Sequence, residues 1–535
     1  MTDARLLHEL LLHRATIGDQ DRLALTCEGH SYTFAQLLDA SQRLATVLRT
    51  GGVQRGDRVL ILLGNSWASA VSIFGTLIAG GVLVLVNPQT KTDKLEFLLH
   101  DSGARALIAE SRLERVFRPA LRRLDQPILL LRANHAQEPL QDQFATQIRA
   151  GTPITEPVPL IPSDLAAIIY TSGSTGKPKG VMQTHQAMVF AVGSILKYLH
   201  LNRDDAILCV LPLSFDYGLY QLLMSVSLGA RLVLERSFTF LGHTLERIRT
   251  ETVTVIPGVP TMFASLIAAH RRAALRIPSV TRITNTAAAL PDEFIAPLRQ
   301  IFPNAQIYKM YGLTECKRVS YLEPELLDAK PGSVGKAIPG TEVYVLSPDG
   351  RPAAPGEIGT LYVRGPHVML GYWNRPDLTD QMLKPGKLPG EPVLCTHDLF
   401  HMDSEGYLYF VGRTDDIIKT RGEKVSPVEV ESALHRIPGV RQAVAIGIPD
   451  ALLGEAICAY VIADSTSQLT GETIRTNSRQ YLEPHMVPKY IVLCERLPQT
   501  PNGKIDRRQL ARHLKNTIPH EIQPTSPPAL QPDPS

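Results

Sequence analysis

Alternating strand-like and helix-like segments over most of the chain predict an α/β fold, a large N-terminal domain of layered, mostly parallel sheets. Two further changes of texture complete the expectation. From about Thr341 the pattern turns to β-rich hairpins, with Glu342-Val-Tyr-Val-Leu, the turn Pro348-Asp-Gly and Gly359-Thr-Leu-Tyr-Val. After Gly412-Arg413-Thr-Asp-Asp-Ile-Ile-Lys a short α+β pattern begins, of ordinary size for a small domain.

The elements can be justified in order. From Val59 to Thr90 no residue is charged, a length that could span a bilayer. Its punctuation predicts a buried crossover unit instead. Val59-Leu-Ile-Leu-Leu reads as a strand, Asn65-Ser66 as a cap, Trp67 to Ala79 as a helix, Gly80-Gly81 as its end, and Val82 to Val86 as a second strand. Further strand-like runs are Ala106-Leu-Ile-Ala, Pro127-Ile-Leu-Leu-Leu, Leu165-Ala-Ala-Ile-Ile, Ile207-Leu-Cys-Val-Leu, Arg231-Leu-Val-Leu and Thr252 to Ile256. In the small domain, Ser426-Pro427-Val428-Glu429 reads as a helix start, with Ser as cap and Pro at the first position. Val430, Leu434 and Ile437 then give one apolar face, and Val440 to Ile448 reads as a strand. The expected boundaries are 1–412 for the large domain, 417–515 for the small one, and a proline-rich, disordered tail over 516–535.

Composition narrows the function classes. With 44% hydrophobic and 20% charged residues over 535 positions, the chain reads as an ordinary multidomain globular protein. A net charge of +3 points neither to nucleic acid nor to an anionic membrane surface. Six cysteines lie far apart with no Cys-x-x-Cys pair, which fits reduced thiols in a cytoplasm. The first residues lack a basic segment leading into an apolar cleavage region, so a cytoplasmic protein without a membrane span is expected.

The chemistry is concentrated in a few motifs. Directly after the run Leu165-Ala-Ala-Ile-Ile comes Tyr170-Thr171-Ser172-Gly173-Ser174-Thr175-Gly176-Lys177-Pro178-Lys179-Gly180-Val181. Glycines let backbone N–H groups turn inward, while hydroxyls and ammonium groups add donors, all suited to a polyphosphate. It is not a Walker A loop, which needs four residues between its first glycine and the Gly-Lys pair. Here only Ser174 and Thr175 intervene, and Pro178 argues for an extended, mobile loop. Tyr311-Gly312-Leu313-Thr314-Glu315 follows a predicted strand and offers an aromatic face for a purine and a carboxylate for a hard cation. Asp398 in Thr396-His397-Asp398, Gly412-Arg413 and Pro498-Gln-Thr-Pro-Asn-Gly-Lys504 follow in turn.

In this order the motifs resemble those of the adenylate-forming enzymes: acyl-CoA synthetases, adenylation domains of nonribosomal peptide synthesis, and luciferases. The resemblance covers nearly the whole chain. It implies that Thr171 through Lys177, Lys179, Ala288, Tyr311, Gly312, Asp398 and Arg413 bind ATP or AMP. Tyr311 would lie against adenine, Thr314 and Glu315 would serve the α-phosphate and Mg²⁺, and Asp398 with Arg413 would hold the ribose. Lys504 would be the catalytic lysine, bridging the substrate carboxylate and the α-phosphate. The small domain would swing about Asp415, within a hinge at 413–416, and present Lys504 in one pose. In the other pose the stretch Lys419-Thr-Arg-Gly422-Glu-Lys-Val would line a channel for a pantetheine thiol. Two departures from the family stand out: His397 replaces a usual glycine, putting the local turn in question, and Lys309 stands where many relatives carry an amide.

The implied reaction is ATP-dependent activation of a carboxylate as its adenylate, then transfer to CoA or to phosphopantetheine on a carrier protein. The implied substrate pocket includes Phe215, Asp216, Tyr217, Gly258, Thr286 and Ala287. Asp216 resembles the aspartate with which amino-acid-activating members pair the substrate ammonium; it could equally cap the helix that follows. No Gly-x-Asp-Ser carrier site is evident, so the acceptor is expected to be a separate molecule. The reading favoured by Asp216 is an amino acid loaded onto a carrier protein in trans. The alternative is an AMP-forming acyl-CoA synthetase for a fatty or aromatic acid.

Overall fold

The uncharged run after Val59 folds as its punctuation predicts. Arg58–Leu62 and Val82–Leu85 are parallel strands, with Val59 opposite Leu83, and Trp67–Ile78 is the helix between them. Ser66 caps that helix: its hydroxyl accepts from the Ser69 N–H at 3.3 Å while the Ser69 hydroxyl accepts from the Ser66 N–H at 3.0 Å. Val82–Leu85 is buried throughout, so its apolar side chains meet protein on both faces rather than lipid. Among the described residues no helix is long and apolar enough to cross a membrane.

This computed structural model describes residues 4–16, 18–133, 143–156, 158–172, 178–414, 416–420, 423–450, 452–464, 467–500, 503–507 and 509–511. The expected tail therefore lies outside the described residues. Contacts divide the chain into two units, 1–410 and 411–535.

Among the described residues of the first unit, two sheets dominate. A seven-stranded sheet runs Gly371–Tyr372, Pro178–Thr184, Leu165–Ser172, Val82–Leu85, Arg58–Leu62, Ala106–Glu110, Leu129–Ala133. Its last five strands are mutually parallel. Leu165–Ser172 and Pro178–Thr184 form an antiparallel hairpin with Thr171 opposite Lys179. Pro178, Lys179 and Gly180 are thus paired strand residues, where the sequence suggested an unpaired loop; Gly173 to Lys177 lie outside the described residues. Gly180 permits the pairing, since a Cβ there would sit 2.6 Å from Ile168 Cγ2.

The second sheet has fourteen strands. Its parallel part runs Leu23–Cys27, Arg231–Leu234, Ala206–Cys209, Val255–Gly258, Arg282–Asn285, Gln306–Tyr311. Gly258 lies opposite Asn285, which lies opposite Lys309, so the carboxyl ends of these strands share one edge. Beyond Gln306–Tyr311 the pairing turns antiparallel at Ser320–Leu322 and continues into the β-rich region after Thr341.

In the second unit, Ser426 caps the helix Pro427–His435 by accepting from the Glu429 N–H at 3.3 Å. Val430, Leu434 and Ile437 form its buried face. Glu423–Val425, Ile418–Thr420, Gly454–Ala463 and Val440–Asp450 pair in that order, and Tyr490–Leu493 flanks Gly454–Ala463.

Three buried histidines give this fold a pH signature. His8 and His185 lie edge to face with centroids 6.1 Å apart, and His185 Nδ1 accepts from the Leu7 N–H at 3.1 Å. Burial lowers His8, His185 and His367 from 6.5 to about 4 each. The unfolded chain therefore takes up protons near pH 6.5 that the folded chain refuses until about pH 4. Stability is fully present above pH 6.5 and declines as pH falls toward 4. Urea unfolding between pH 7 and 5 should show that decline, with a shallower slope in His185→Gln; a flat profile would contradict it.

Candidate active site

The shared carboxyl edge of the parallel strands is where open α/β sheets hold ligands, because loops leaving adjacent strands open a crevice there. Four segments meet that edge: Phe215 to Tyr217 after Ala206–Cys209, Gly258, Thr286 to Ala288 after Arg282–Asn285, and Tyr311 to Glu315. The last is held by a tight reversal. Lys317 N–H donates to Leu313 O at 2.7 Å, and Val319 N–H to Tyr311 O at 2.9 Å. Gly312 is required inside it, because a Cβ would overlap the Lys317 carbonyl oxygen and approach Arg318 Cα to 2.9 Å.

Tyr311 donates its hydroxyl to Asp398 Oδ2, which joins two residues expected at the nucleotide. Burial, then the Asp398 charge, holds the Tyr311 hydroxyl well above its usual pKa, so it remains a donor at neutral pH. Phe400 packs edge-on against the Tyr311 ring at 4.8 Å and Phe410 stacks on it at 6.0 Å. Asp398 is buried, and its N–H donates to Thr396 Oγ1 at 3.1 Å. His397 resolves the question its replacement of glycine raised. It adopts φ +56°, the left-handed turn that glycine favours, so the turn survives the substitution. Histidine visits this region more readily than most residues, at a cost of roughly 1–2 kcal/mol.

Glu315 forms a second cluster. Its Oε1 accepts from the Tyr372 hydroxyl at 2.6 Å and lies 3.9 Å from Lys179 Nζ, which donates to the Tyr372 oxygen at 2.8 Å. A buried carboxylate beside an ammonium group suits a cation and phosphate oxygens sharing one place, and Mg²⁺ is commonly held by one or two carboxylates plus substrate phosphates. Among the described residues no group of three or more His, Cys, Asp or Glu could hold a metal by itself. Thr314 O accepts from the buried Gln183 Nε2 at 3.3 Å. Thr171 is half-buried on the hairpin; its Oγ1 is buried and has no hydrogen-bond partner among the described residues. The Ser172 side chain lies outside what is described.

The expected acyl pocket differs most from the sequence reading. Asp216 is paired with the chain's own Lys317, Oδ1 to Nζ 3.1 Å, the lysine 1% exposed. It does not cap the helix either: Phe215 is at the cap position and Asp216 is the first helical residue of Asp216–Leu228. Of the two roles weighed for Asp216, the helix cap is therefore corrected. A lysine one turn beyond the Tyr-Gly-Leu-Thr-Glu motif supplies the partner that a substrate ammonium was expected to supply. Tyr217 donates to Thr284 O at 2.8 Å, and Arg318 donates to Thr286 Oγ1 at 3.0 Å. Gly258 packs against the Phe263 ring and accepts from Asn285 Nδ2 at 3.5 Å. Ala287 is left-handed at φ +76°, and Ala288 is exposed beside it. Lys309 is buried and bonded to Asp292 at 2.5 Å, an internal role.

The remaining expected residues belong to the second unit. Arg413 is exposed at the end of Leu408–Arg413, and its carbonyl accepts from Asp416 and Ile417. Lys419 is exposed, its N–H bonded to Glu455 Oε2 at 2.6 Å. Lys504 sits in a tight turn closed by the Gln499–Ile505 bridge: Thr500 N–H donates to Lys504 O at 2.6 Å, and Lys504 N–H to Thr500 Oγ1 at 3.2 Å. Asp415 and Gly422 lie outside the described residues. Sequence reasoning missed Tyr372, Gln183, Lys317 and Arg318. Of these only Lys317-Arg318 carried a signal, two adjacent cations separated from Glu315 by Cys316 alone.

The family profile described as AMP-binding enzyme matches residues 12–373, and that described as AMP-binding enzyme C-terminal domain matches 429–504. A long-chain-fatty-acid–CoA ligase of Bacillus subtilis (strain 168) is 31% identical, over 94% of this chain and 93% of its own. A feruloyl-CoA synthase of Amycolatopsis sp. is 32% identical, over 91% and 94%. The crystal structure of a benzoate CoA ligase from Burkholderia xenovorans LB400 superposes with TM-score 0.85 at 26% identity, over 95% of this chain and 99% of that one. The chain belongs to the AMP-binding, adenylate-forming enzyme family, and it is an AMP-forming acid–thiol ligase of the acyl-CoA synthetase kind.

Replacing Gly312 tests the tight reversal. Gly312→Ala forces a methyl group into the Lys317 carbonyl, and should lower unfolding free energy by about 2 kcal/mol or more. A wild-type denaturation midpoint would contradict the assignment.

Proposed function

We propose that this enzyme joins a carboxylic acid, aliphatic or aromatic, to CoA through an acyl-adenylate. The observation that carries this choice over an amino acid on a carrier protein is the Asp216–Lys317 pair. With its charge met at 3.1 Å inside the protein, Asp216 is not available to a substrate ammonium. The relatives' names agree, being a fatty-acid and a feruloyl enzyme.

In the first half-reaction a carboxylate oxygen attacks the α-phosphorus, and the bond to the pyrophosphate oxygen breaks in line. Tyr311 offers adenine its ring, and Asp398 exchanges the Tyr311 hydroxyl for the ribose hydroxyls, with Arg413 beside them. Thr171, Lys179 and the Gly173–Lys177 segment hold the phosphates. Glu315 would hold Mg²⁺, which supplies charge neutralisation on the phosphate oxygens when bound. Thr314 serves the α-phosphate. Lys504 neutralises the charge shared between carboxylate and phosphate as the new bond forms. In the second half-reaction the CoA sulfur attacks the acyl carbonyl and AMP leaves. The second unit turns about 413–416, with Asp415 as pivot, exchanging Lys504 for the Lys419–Gly422 stretch that lines the thiol channel.

Pyrophosphate exchange with fatty, aromatic and amino acids tests the substrate class, and exchange confined to amino acids would overturn it. Lys504→Ala should lose adenylate formation by at least a thousandfold while retaining thioester formation from supplied acyl-AMP and CoA. Equal loss of both half-reactions would overturn the two-pose scheme.

A further inference from the structure

At the carboxyl edge three lysines stand beside carboxylates and one arginine does not. Lys179 meets Glu315, Lys309 meets Asp292 and Lys317 meets Asp216. Arg318, 4% exposed, has no carboxylate within ion-pair distance among the described residues. Its Nη1 donates to the Thr286 hydroxyl at 3.0 Å, its side chain also hydrogen-bonds the neutral Tyr198 hydroxyl, and its Nε has no hydrogen-bond partner among the described residues. Its guanidinium lies 5.1 Å from the Tyr217 ring centroid. Tyr198 and Tyr220, both buried, are the other polar groups that feel its charge. Burial raises Tyr217 to about 12 even with Arg318 pulling the other way, so these hydroxyls stay neutral and cannot serve as the missing anion.

A guanidinium is always charged, and burying one without a counter-ion is strongly unfavourable. Arg318 is bonded to Thr286 and stacked on Tyr217, two residues of the acyl pocket as read above, and Gly312 packs against its Cα. We infer that the acid carries a second anionic group on its acyl part, and that Arg318 receives it: the substrate is a dicarboxylic acid, activated at one carboxylate and held by the other. This rests on the carboxylate-activation reading and sharpens it. The Asp216–Lys317 pair then serves a purpose beside it. It keeps Lys317 neutralised and keeps Asp216 from taking Arg318 as its partner, leaving one positive charge for the ligand. A planar fork with five donors suits a carboxylate better than any neutral acceptor.

The test is pyrophosphate exchange by the full chain with matched pairs: octanoate against octanedioate, and benzoate against each benzenedicarboxylate. For at least one pair the diacid should have a kcat/KM at least tenfold above its monoacid. Arg318→Gln should bring that ratio to about one, a loss of at least tenfold, because the diacid's second carboxylate then lacks its charged partner. Arg318→Lys should recover part of it. The split should fall mainly on KM, and ATP-induced thermal stabilisation of each variant shows that it is folded. Monoacids used as well as or better than every matched diacid by the wild-type enzyme would overturn the inference while leaving carboxylate activation intact. Exchange with no acid of either kind would overturn both.

Discussion

Between Tyr311 and Ser320 the chain turns back on itself with no room for a single extra carbon at Gly312. That steric constraint decides where the reacting groups stand. It holds Tyr311 at the end of its strand with its hydroxyl on Asp398, sets Glu315 against Tyr372 and Lys179, and sends Lys317 and Arg318 toward the helix Asp216–Leu228 and the Thr286 turn. Lys317 itself is held at φ +66°, a conformation costing a non-glycine residue about 1 kcal/mol, and its ion pair with Asp216 offsets that strain. One short reversal thus separates a side rich in acceptors, which we propose meets the nucleotide, from a side that carries Lys317 and Arg318, which we propose meets the acyl group.

The same division explains how one edge can serve two different ligands. Asp398 and Glu315 are acceptors already occupied by tyrosine hydroxyls, Tyr311 and Tyr372, so neither carboxylate is left bare when no nucleotide is bound. Replacing the Tyr311 hydroxyl by ribose hydroxyls, as we propose for Asp398, would keep that carboxylate hydrogen-bonded throughout nucleotide entry. On the acyl side the balance differs. Lys317 and Asp216 lie at ion-pair distance from one another, and among the described residues Arg318 has no carboxylate beside it, which is why we propose an anionic group of the substrate as its partner.

Much of this was legible from local pattern. The uncharged runs near Val59 and Val82, punctuated by Ser66 and Gly80-Gly81, could only pack as buried strands flanking a capped helix. Tyr311, Glu315 and Asp398 stood out because their motifs follow in the order that the adenylate-forming family shows, with side chains suited to the roles the resemblance implies. The Asp216–Lys317 pair was not legible, because an ion pair between residues distant in sequence depends on which loops the sheet order brings together. Asp216 taken alone invited a substrate ammonium or a helix cap, and the fold supplied a third answer. His397 shows the converse: the residue type argued against the turn, yet neighbouring strand pairing imposed the left-handed backbone regardless. Tyr372 was invisible for a third reason, since its role arises only when Gly371–Tyr372 pairs with Met182 and Val181 beside Lys179.

The most direct test of the nucleotide side is a crystal structure with a non-hydrolysable acyl-sulfamoyl adenosine. The account places the purine against the Tyr311 ring and both ribose hydroxyls on Asp398, with the tyrosine hydroxyl displaced from that carboxylate. An analogue bound elsewhere, with the Tyr311–Asp398 hydrogen bond undisturbed, would contradict it.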